Sequence, residues 1–188
     1  ICQLHGKQGR YAEAVEYGHR ALRLAEESGD RWGQATGLNN LGWYYTEMGR
    51  YPQAIASAER ALELCDGAGS AERRALIRDT LGYAERHLGR YQEAVVHHQE
   101  SIALSREVGN RTNEAFAWEH LGDDHRDAGD TEAALRAWHT ALNHYSELGH
   151  SAAAPVREKI GRTIDASTTL RGTGRRAIEA RRSPPTSP

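Results

Sequence analysis

The chain has 188 residues, of which 38% are hydrophobic and 27% charged, with a formal net charge of −2; this suits thin apolar layers between helices better than one thick globular core. No apolar run approaches the ~18 residues that cross a bilayer, and no charged start followed by an apolar stretch marks a secretion signal, so a cytoplasmic protein without a membrane span is expected. The two cysteines, Cys2 and Cys65, lack C-x-x-C spacing, which excludes a framework of several disulfides and fits a reducing compartment.

The chain opens on Ile1, and its single methionine is Met48, so it reads as a segment of a longer polypeptide. Gly9-Arg10-Tyr11 then starts a series that returns as Gly49-Arg50-Tyr51, Gly89-Arg90-Tyr91 and Gly129-Asp130-Thr131, always 40 residues apart. Gly29, Gly69, Gly109 and Gly149 keep the same period, as do Leu22, Leu62, Ile102 and Leu142. A fixed period of this length signals stacked supersecondary units. The predicted units are 1–29 (a partial repeat), 30–69, 70–109 and 110–149.

Each unit reads as two helices. Asp30, Ser70 and Asn110 stand where an N-cap of the first helix belongs. The glycines of both series fit the position just past a helix end. Pro52 falls in the first turn of a second helix, where its missing N–H costs nothing. The stripe Ala54, Ile55, Ala58, Ala61, Leu62 and Cys65 steps by three and four, as a half-buried helix requires. One repeat later Ala94, Val95, His98, Ser101 and Ile102 repeat it. The third repeat's first helix departs from the pattern with Arg78 and Glu85, yet Ile77, Leu81, Ala84 and Leu88 still form an apolar face. After Gly149, Pro155 and Gly161 break the series, so 150–166 reads as a helix closing the array. Residues 167–188 are rich in Ser, Thr, Pro, Gly and Arg and read as a disordered basic tail.

Gly42, Gly82 and Gly122 recur within first helices, where glycine is ~1 kcal/mol worse than alanine. Three such losses in one register imply close approach of the paired helix, with Ala54, Ala94 and Ala134 as the small residues opposite.

Leu-Gly, then Gly-Arg/Asp-Tyr/Thr, then Ala three residues on, resembles the tetratricopeptide repeat over residues 1–150. The 40-residue period is similar to the long-helix subclass of kinesin light chains, peptide-sensing bacterial regulators, actinobacterial transcription regulators of the antibiotic-regulatory type and signal-transduction ATPases. The excess of 22 arginines over two lysines, Lys7 and Lys159, matches the actinobacterial branch. The resemblance implies an all-α, right-handed superhelix with a C-terminal capping helix.

First helices line the concave side of such arrays. By the register of Leu41-Gly42, the groove-facing positions are Thr36, Asn39, Asn40, Trp43 and Glu47, then Leu76, Asp79, Thr80, Tyr83 and His87, then Phe116, Glu119, His120, Asp123 and Asp127. The resemblance gives the position of Asn40 the task of bonding a peptide backbone; Thr80 and His120 replace asparagine in the next two repeats. Asparagine offers a donor and an acceptor, and Trp43, Tyr83 and Phe116 offer the anchors common at hot spots. The acids favour a basic or neutral ligand, tempered by Arg86 and Arg126. A solvated helix face is the alternative.

His120, Asp123, Asp124 and Asp127 lie three, four and seven residues apart, with His87 in the neighbouring repeat, a conceivable nitrogen–oxygen metal set. A polar groove face with ion pairs to Arg86 and Arg126 is the favoured account, and no H-E-x-x-H or paired-cysteine motif supports a metal. His97, His98 and His139 are expected at the surface or between helices. No metal, cofactor or catalytic constellation is therefore expected. From Gly161 onward six arginines face two acids, a net of +4, which would attract nucleic acid. Without aromatic residues to stack on bases, a nucleic-acid role for this segment is disfavoured. The expected function is capture of a protein or peptide by the regulatory arm of a larger bacterial protein. End-to-end assembly into a homo-oligomeric scaffold is the alternative.

Overall fold

A computed structural model describes residues 10–65 and 70–166. The expectations for Cys2, Gly9, Gly69 and the Arg-rich tail lie outside the described residues. Seven helices run as α1 (Tyr11–Glu27), α2 (Arg31–Glu47), α3 (Tyr51–Glu63), α4 (Ala71–His87), α5 (Tyr91–Glu107), α6 (Arg111–Asp127) and α7 (Thr131–Glu147). An eighth, α8, covers 153–166, and no strand occurs among the described residues.

The helix ends follow from local chemistry. The Asp30 carboxylate accepts from the Gly33 N–H at 2.9 Å, Asn110 accepts from Asn113 at 3.0 Å, and Asp130 accepts from Ala133 at 2.9 Å. Each bond satisfies a donor that the first turn leaves unpaired. Ser70 makes no such bond, because its backbone is already helical at φ −83°, ψ −10°, whereas a capping side chain needs an extended backbone to reach back. At the other end, Gly49 adopts φ +70°. That left-handed turn lets the Arg50 N–H reach the Tyr45 carbonyl at 2.8 Å, closing the helix.

Consecutive helices pack antiparallel along the whole array, and α2 also packs against α4, and α4 against α6. The first helices of the repeats therefore make one closely spaced layer, and α3, α5 and α7 make the other. Tighter spacing on one side bends a stack toward that side, which places α2, α4 and α6 on the inner face. Leu38, Leu41, Ala58, Ile77 and Leu81 fill the core of the second and third repeats. Trp138, Tyr145, Val156 and Ile160 fill the core where α8 lies on α7.

Of the three mid-helix glycines, Gly42 lies against Ala54 as expected, while the side chains nearest Gly82 and Gly122 come from a different position of the outer helix. A Cβ at Gly42 would lie 3.2 Å from the Ala54 carbonyl oxygen and 3.8 Å from the Ala58 Cβ. At Gly82, however, it would lie 2.5 Å from the His98 ring, and at Gly122 it would fall inside contact range of the Trp138 ring. Ala94 and Ala134 are buried, and the side chains nearest Gly82 and Gly122 are those of His98 and Trp138. Ala58, His98 and Trp138 stand 40 residues apart, so one position of the outer helix meets one glycine of the inner helix in every repeat. The glycine makes room for whatever that position carries.

Candidate functional site

Three successive inner helices, with Ser101 of α5, form a pocket of about 310 Å³. Trp43 of α2, Leu76 and Asp79 of α4, and Asn113, Phe116 and His120 of α6 line it. A shallower hollow of about 240 Å³ continues from Leu76 past Asn39 and Asn40 to Trp32. Trp32, Trp43 and Leu76 are 61%, 36% and 42% exposed, an apolar run of the kind that monomers rarely leave in water without a use. The Arg73 guanidinium lies over the Trp32 ring, 3.0 Å from its centroid. The Asn39 side-chain oxygen is buried and accepts no hydrogen bond.

Rings line the same face in sequence. Trp43 leans on Tyr83 at 5.5 Å between centroids, Tyr83 on His87 at 4.7 Å and on His120 at 5.6 Å, and Tyr51 stacks on His87 at 5.0 Å. Tyr83 is half-buried, while His87 is exposed. Burial, then the nearby Arg86 charge, lowers the His87 pKa.

Of the expected groove residues, Asn39, Asn40, Trp43, Glu47, Tyr83, His87, Phe116, His120 and Asp127 retain partial or full exposure, and Thr80 and Asp123 do not. Thr80 is 4% exposed and spends its hydroxyl on the Leu76 carbonyl at 3.1 Å; its methyl lies close to Gly42, so it is a packing residue. Asp123 is 8% exposed and held by Lys159 at 2.9 Å, Arg86 at 3.0 Å and Arg126 at 3.4 Å. Burial alone would raise its pKa, but the Lys159 hydrogen bond and charge, with Arg86 and Arg126, bring it below the ordinary carboxylate value. The groove is consequently less acidic than its carboxylates suggest. Glu119 is likewise engaged, by Lys159 at 3.0 Å and by the Tyr145 hydroxyl at 3.0 Å.

Beneath the rings lies a polar chain of four residues from three helices. The His120 Nδ1–H donates to Asp79 Oδ1 at 2.8 Å. The His98 Nδ1–H donates to Asp124 Oδ2 at 2.5 Å, with both residues wholly buried. His98 Nε2 has no hydrogen-bond partner and stands 3.8 Å from Asp79 Oδ1. For Asp79, burial pushes the pKa up, but the His120 charge and hydrogen bond outweigh it and the net shift is down. For His120, burial pushes down, Asp79 pushes up, and the net shift is up. Asp79, His98 and His120 offer three metal-ligating atoms within 4.8 Å of one another. The metal set read from the helical spacing of His120, Asp123, Asp124 and Asp127 with His87 does not assemble: Asp123 turns to its cations and Asp124 to His98.

Sequence reasoning placed His98 only loosely and assigned nothing to Asn113, Trp32 or Lys159. The signal for His98 was present, since the outer-helix position that holds Ala58 and Trp138 changes to an imidazole there. Lys159, on a helix outside the repeat register, carried no periodic signal.

Comparison with protein families matches the tetratricopeptide repeat over residues 1–66 and 73–147. Comparison with curated proteins found no match. Among solved structures, the chain is similar to BtubC (BKLC) from P. vanneervenii, at 19% identity and TM-score 0.76, covering 100% of this chain and 81% of that one. It is also similar to a Rap protein complexed with competence and sporulation factor, at 17% identity and TM-score 0.79, covering 95% of this chain and 49% of that one. A third likeness is to a signal-transduction ATPase with a tetratricopeptide repeat sensor from Pyrococcus horikoshii, at 16% identity and TM-score 0.70, covering 90% of this chain and 28% of that one.

Proposed function

We propose that this chain, which belongs to the tetratricopeptide repeat family, captures an extended protein segment or peptide along the inner face of α2, α4 and α6. Repeats of this family are interaction modules, and no catalytic role is assigned to any residue. The observation that carries the reading is the continuous hollow in which Trp43, Leu76 and Phe116 present apolar surface beside the unpaired Asn39 oxygen. Apolar anchors fix side chains of the ligand, and an amide acceptor with no internal partner takes a backbone N–H. With Asp123 and Glu119 already paired, the central groove favours a neutral, apolar segment over a strongly basic one.

The Rap complex with competence and sporulation factor and the ATPase whose repeats are named a sensor support a further step by analogy of fold alone. In that reading the chain is the sensory or regulatory arm of a larger cytoplasmic bacterial regulator, as the resemblance to actinobacterial transcription regulators suggests.

Peptides selected by display against the full chain test the capture reading. The combined substitution Trp43→Ala with Tyr83→Ala is expected to weaken their binding by ~10-fold or more, since each hot-spot anchor is worth ~1–2 kcal/mol or more. Arg136→Ala, on α7 and away from the inner face, should leave it unchanged. Failure to select any binder, or equal binding by the double variant, would overturn the assignment.

A further inference from the structure

The polar chain beneath the groove is built for more than support. We propose that Asp79, His98 and His120 form a binding site for one divalent transition-metal ion of the zinc class, with an open coordination position facing the groove.

Four observations converge on it. First, the donor atoms already converge: Asp79 Oδ1 lies 2.8 Å from His120 Nδ1 and 3.8 Å from His98 Nε2. Ligand atoms at ~2.0–2.2 Å from a tetrahedral ion stand a little over 3 Å apart; the two distances from Asp79 bracket that value, and all three donor atoms lie within 4.8 Å of one another, so a shift of the His120 side chain by about an ångström completes the set. Second, His98 is 0% exposed, yet its Nε2 has no partner. A buried imidazole nitrogen left without a bond is costly, and here it is aimed at the carboxylate of the same cluster.

Third, the supporting contact is the one a metal-bound histidine uses. The Asp124 carboxylate accepts, so His98 Nδ1 carries a proton, and it is the neutral ring, with its lone pair on Nε2, that would bind an ion. A carboxylate behind the imidazole fixes tautomer and orientation and raises ligand basicity. Gly82 contributes as well, since a Cβ there would lie 2.5 Å from His98 Nε2. Fourth, the surrounding charge is unbalanced. Glu119, Asp123, Asp124 and Asp127 pair with Arg86, Arg126 and Lys159, and Asp79 feels the Arg86 charge without an ion pair to it. Five carboxylates against three fixed cations leave a surplus of negative charge, which favours uptake of a cation.

The site is not a by-product of the repeat. One repeat earlier the same three positions hold Asn39, Ala58 and Thr80, and one period later they hold Glu119, Trp138 and Ile160. Two nitrogens and one carboxylate suit zinc or its first-row neighbours rather than calcium or magnesium, which take oxygen ligands. The ion displaces the proton shared by His120 and Asp79; that proton leaves to solvent, so uptake weakens as pH falls. Asp79 and His120 line the 310 Å³ pocket, so the fourth position opens toward the groove and takes water or a donor atom from its occupant.

The full chain, stripped with a chelator and dialysed, is titrated with Zn²⁺ alone by calorimetry and with Co²⁺ alone by its visible d–d spectrum; no peptide is present, so the outcome is independent of the capture reading. One ion per chain with a tetrahedral Co²⁺ spectrum is expected. Asp79→Asn and His120→Gln should weaken uptake by at least the ~10–100-fold typical of changes behind a metal ligand, with helicity by circular dichroism unchanged. Asp124→Asn, a positioning change, should weaken it by ~10–100-fold, and His139→Gln on the exposed side of α7 should not. No saturable uptake, or uptake equally strong in His120→Gln, would overturn the proposal.

Discussion

Whether a glycine in these helices stabilises or destabilises depends on what its missing Cβ would meet. At Gly122 an added methyl meets the wholly buried Trp138 ring, at Gly82 the His98 ring at 2.5 Å, at Gly42 a carbonyl oxygen at 3.2 Å, and at Gly37 nothing nearer than 3.8 Å. Gly122→Ala and Gly82→Ala should each lose ~1–3 kcal/mol through overpacking, and Gly42→Ala less. Gly37→Ala should gain up to ~1 kcal/mol from helix propensity. Urea denaturation of the four variants gives the order directly; equal effects at Gly37 and Gly122 would contradict the close-approach account. The sequence made this register legible through its period, and it left the opposing residue undetermined. A gap of 40 residues marks equivalent positions without saying which of two neighbouring outer-helix residues points at the glycine. Asp123 was misplaced for a related reason, because helical register gives a direction around the axis and not the reach of Lys159 or Arg86, and Thr80 because register does not show that Gly42 leaves room for its methyl.

The Asp79–His120 pair makes a residue-scale prediction with a definite sign in the metal-free chain. Its lowered pKa means that Asp79 contributes stability above the ordinary carboxylate range, lost as pH falls through the folded value. His120, with a raised pKa, contributes stability that is complete below the ordinary imidazole value and is lost as pH rises through the raised one. Urea midpoints measured in chelator should therefore decline as pH climbs past the His120 transition. His120→Gln should flatten that decline; an unchanged profile would show that the pair is not coupled as the geometry indicates.

Among the elements, α8 is the one that the period could not supply. Its Val156 and Ile160 are 0% and 5% exposed against Trp138 and Tyr145, and its Lys159 reaches both Glu119 and Asp123 on α6. Burial, then Glu119, pushes the Tyr145 pKa up, a mark of how closed this end is. Ile160→Ala should cost ~2–5 kcal/mol, seen as early loss of α6–α8 protection in hydrogen exchange while α2 and α3 stay protected. Uniform loss across the array would mean that its ends are not energetically separable, against the behaviour expected of stacked repeats. The closing role was legible as a break in the pattern at Pro155 and Gly161; the ion pairs were not, since nothing local encodes a lysine facing two acids about 40 residues away in sequence.

For the whole molecule, the spacing of two helical layers gives the two faces different surfaces, and the proposed capture uses the inner one. The inner helices approach each other, collect the rings of Trp43, Tyr83 and His120, and leave Leu76 and Trp32 uncovered. The outer face carries its own hollow, lined by Trp118, Arg106 and Arg136, where charged side chains break up the apolar surface. Hydrogen-exchange footprinting of the full chain with a selected peptide distinguishes the two faces most directly. Protection is predicted along α2, α4 and α6 around Trp43, Leu76 and Phe116, with α5 and α7 unchanged around Gln99 and Arg136. Protection confined to the outer hollow would contradict the account.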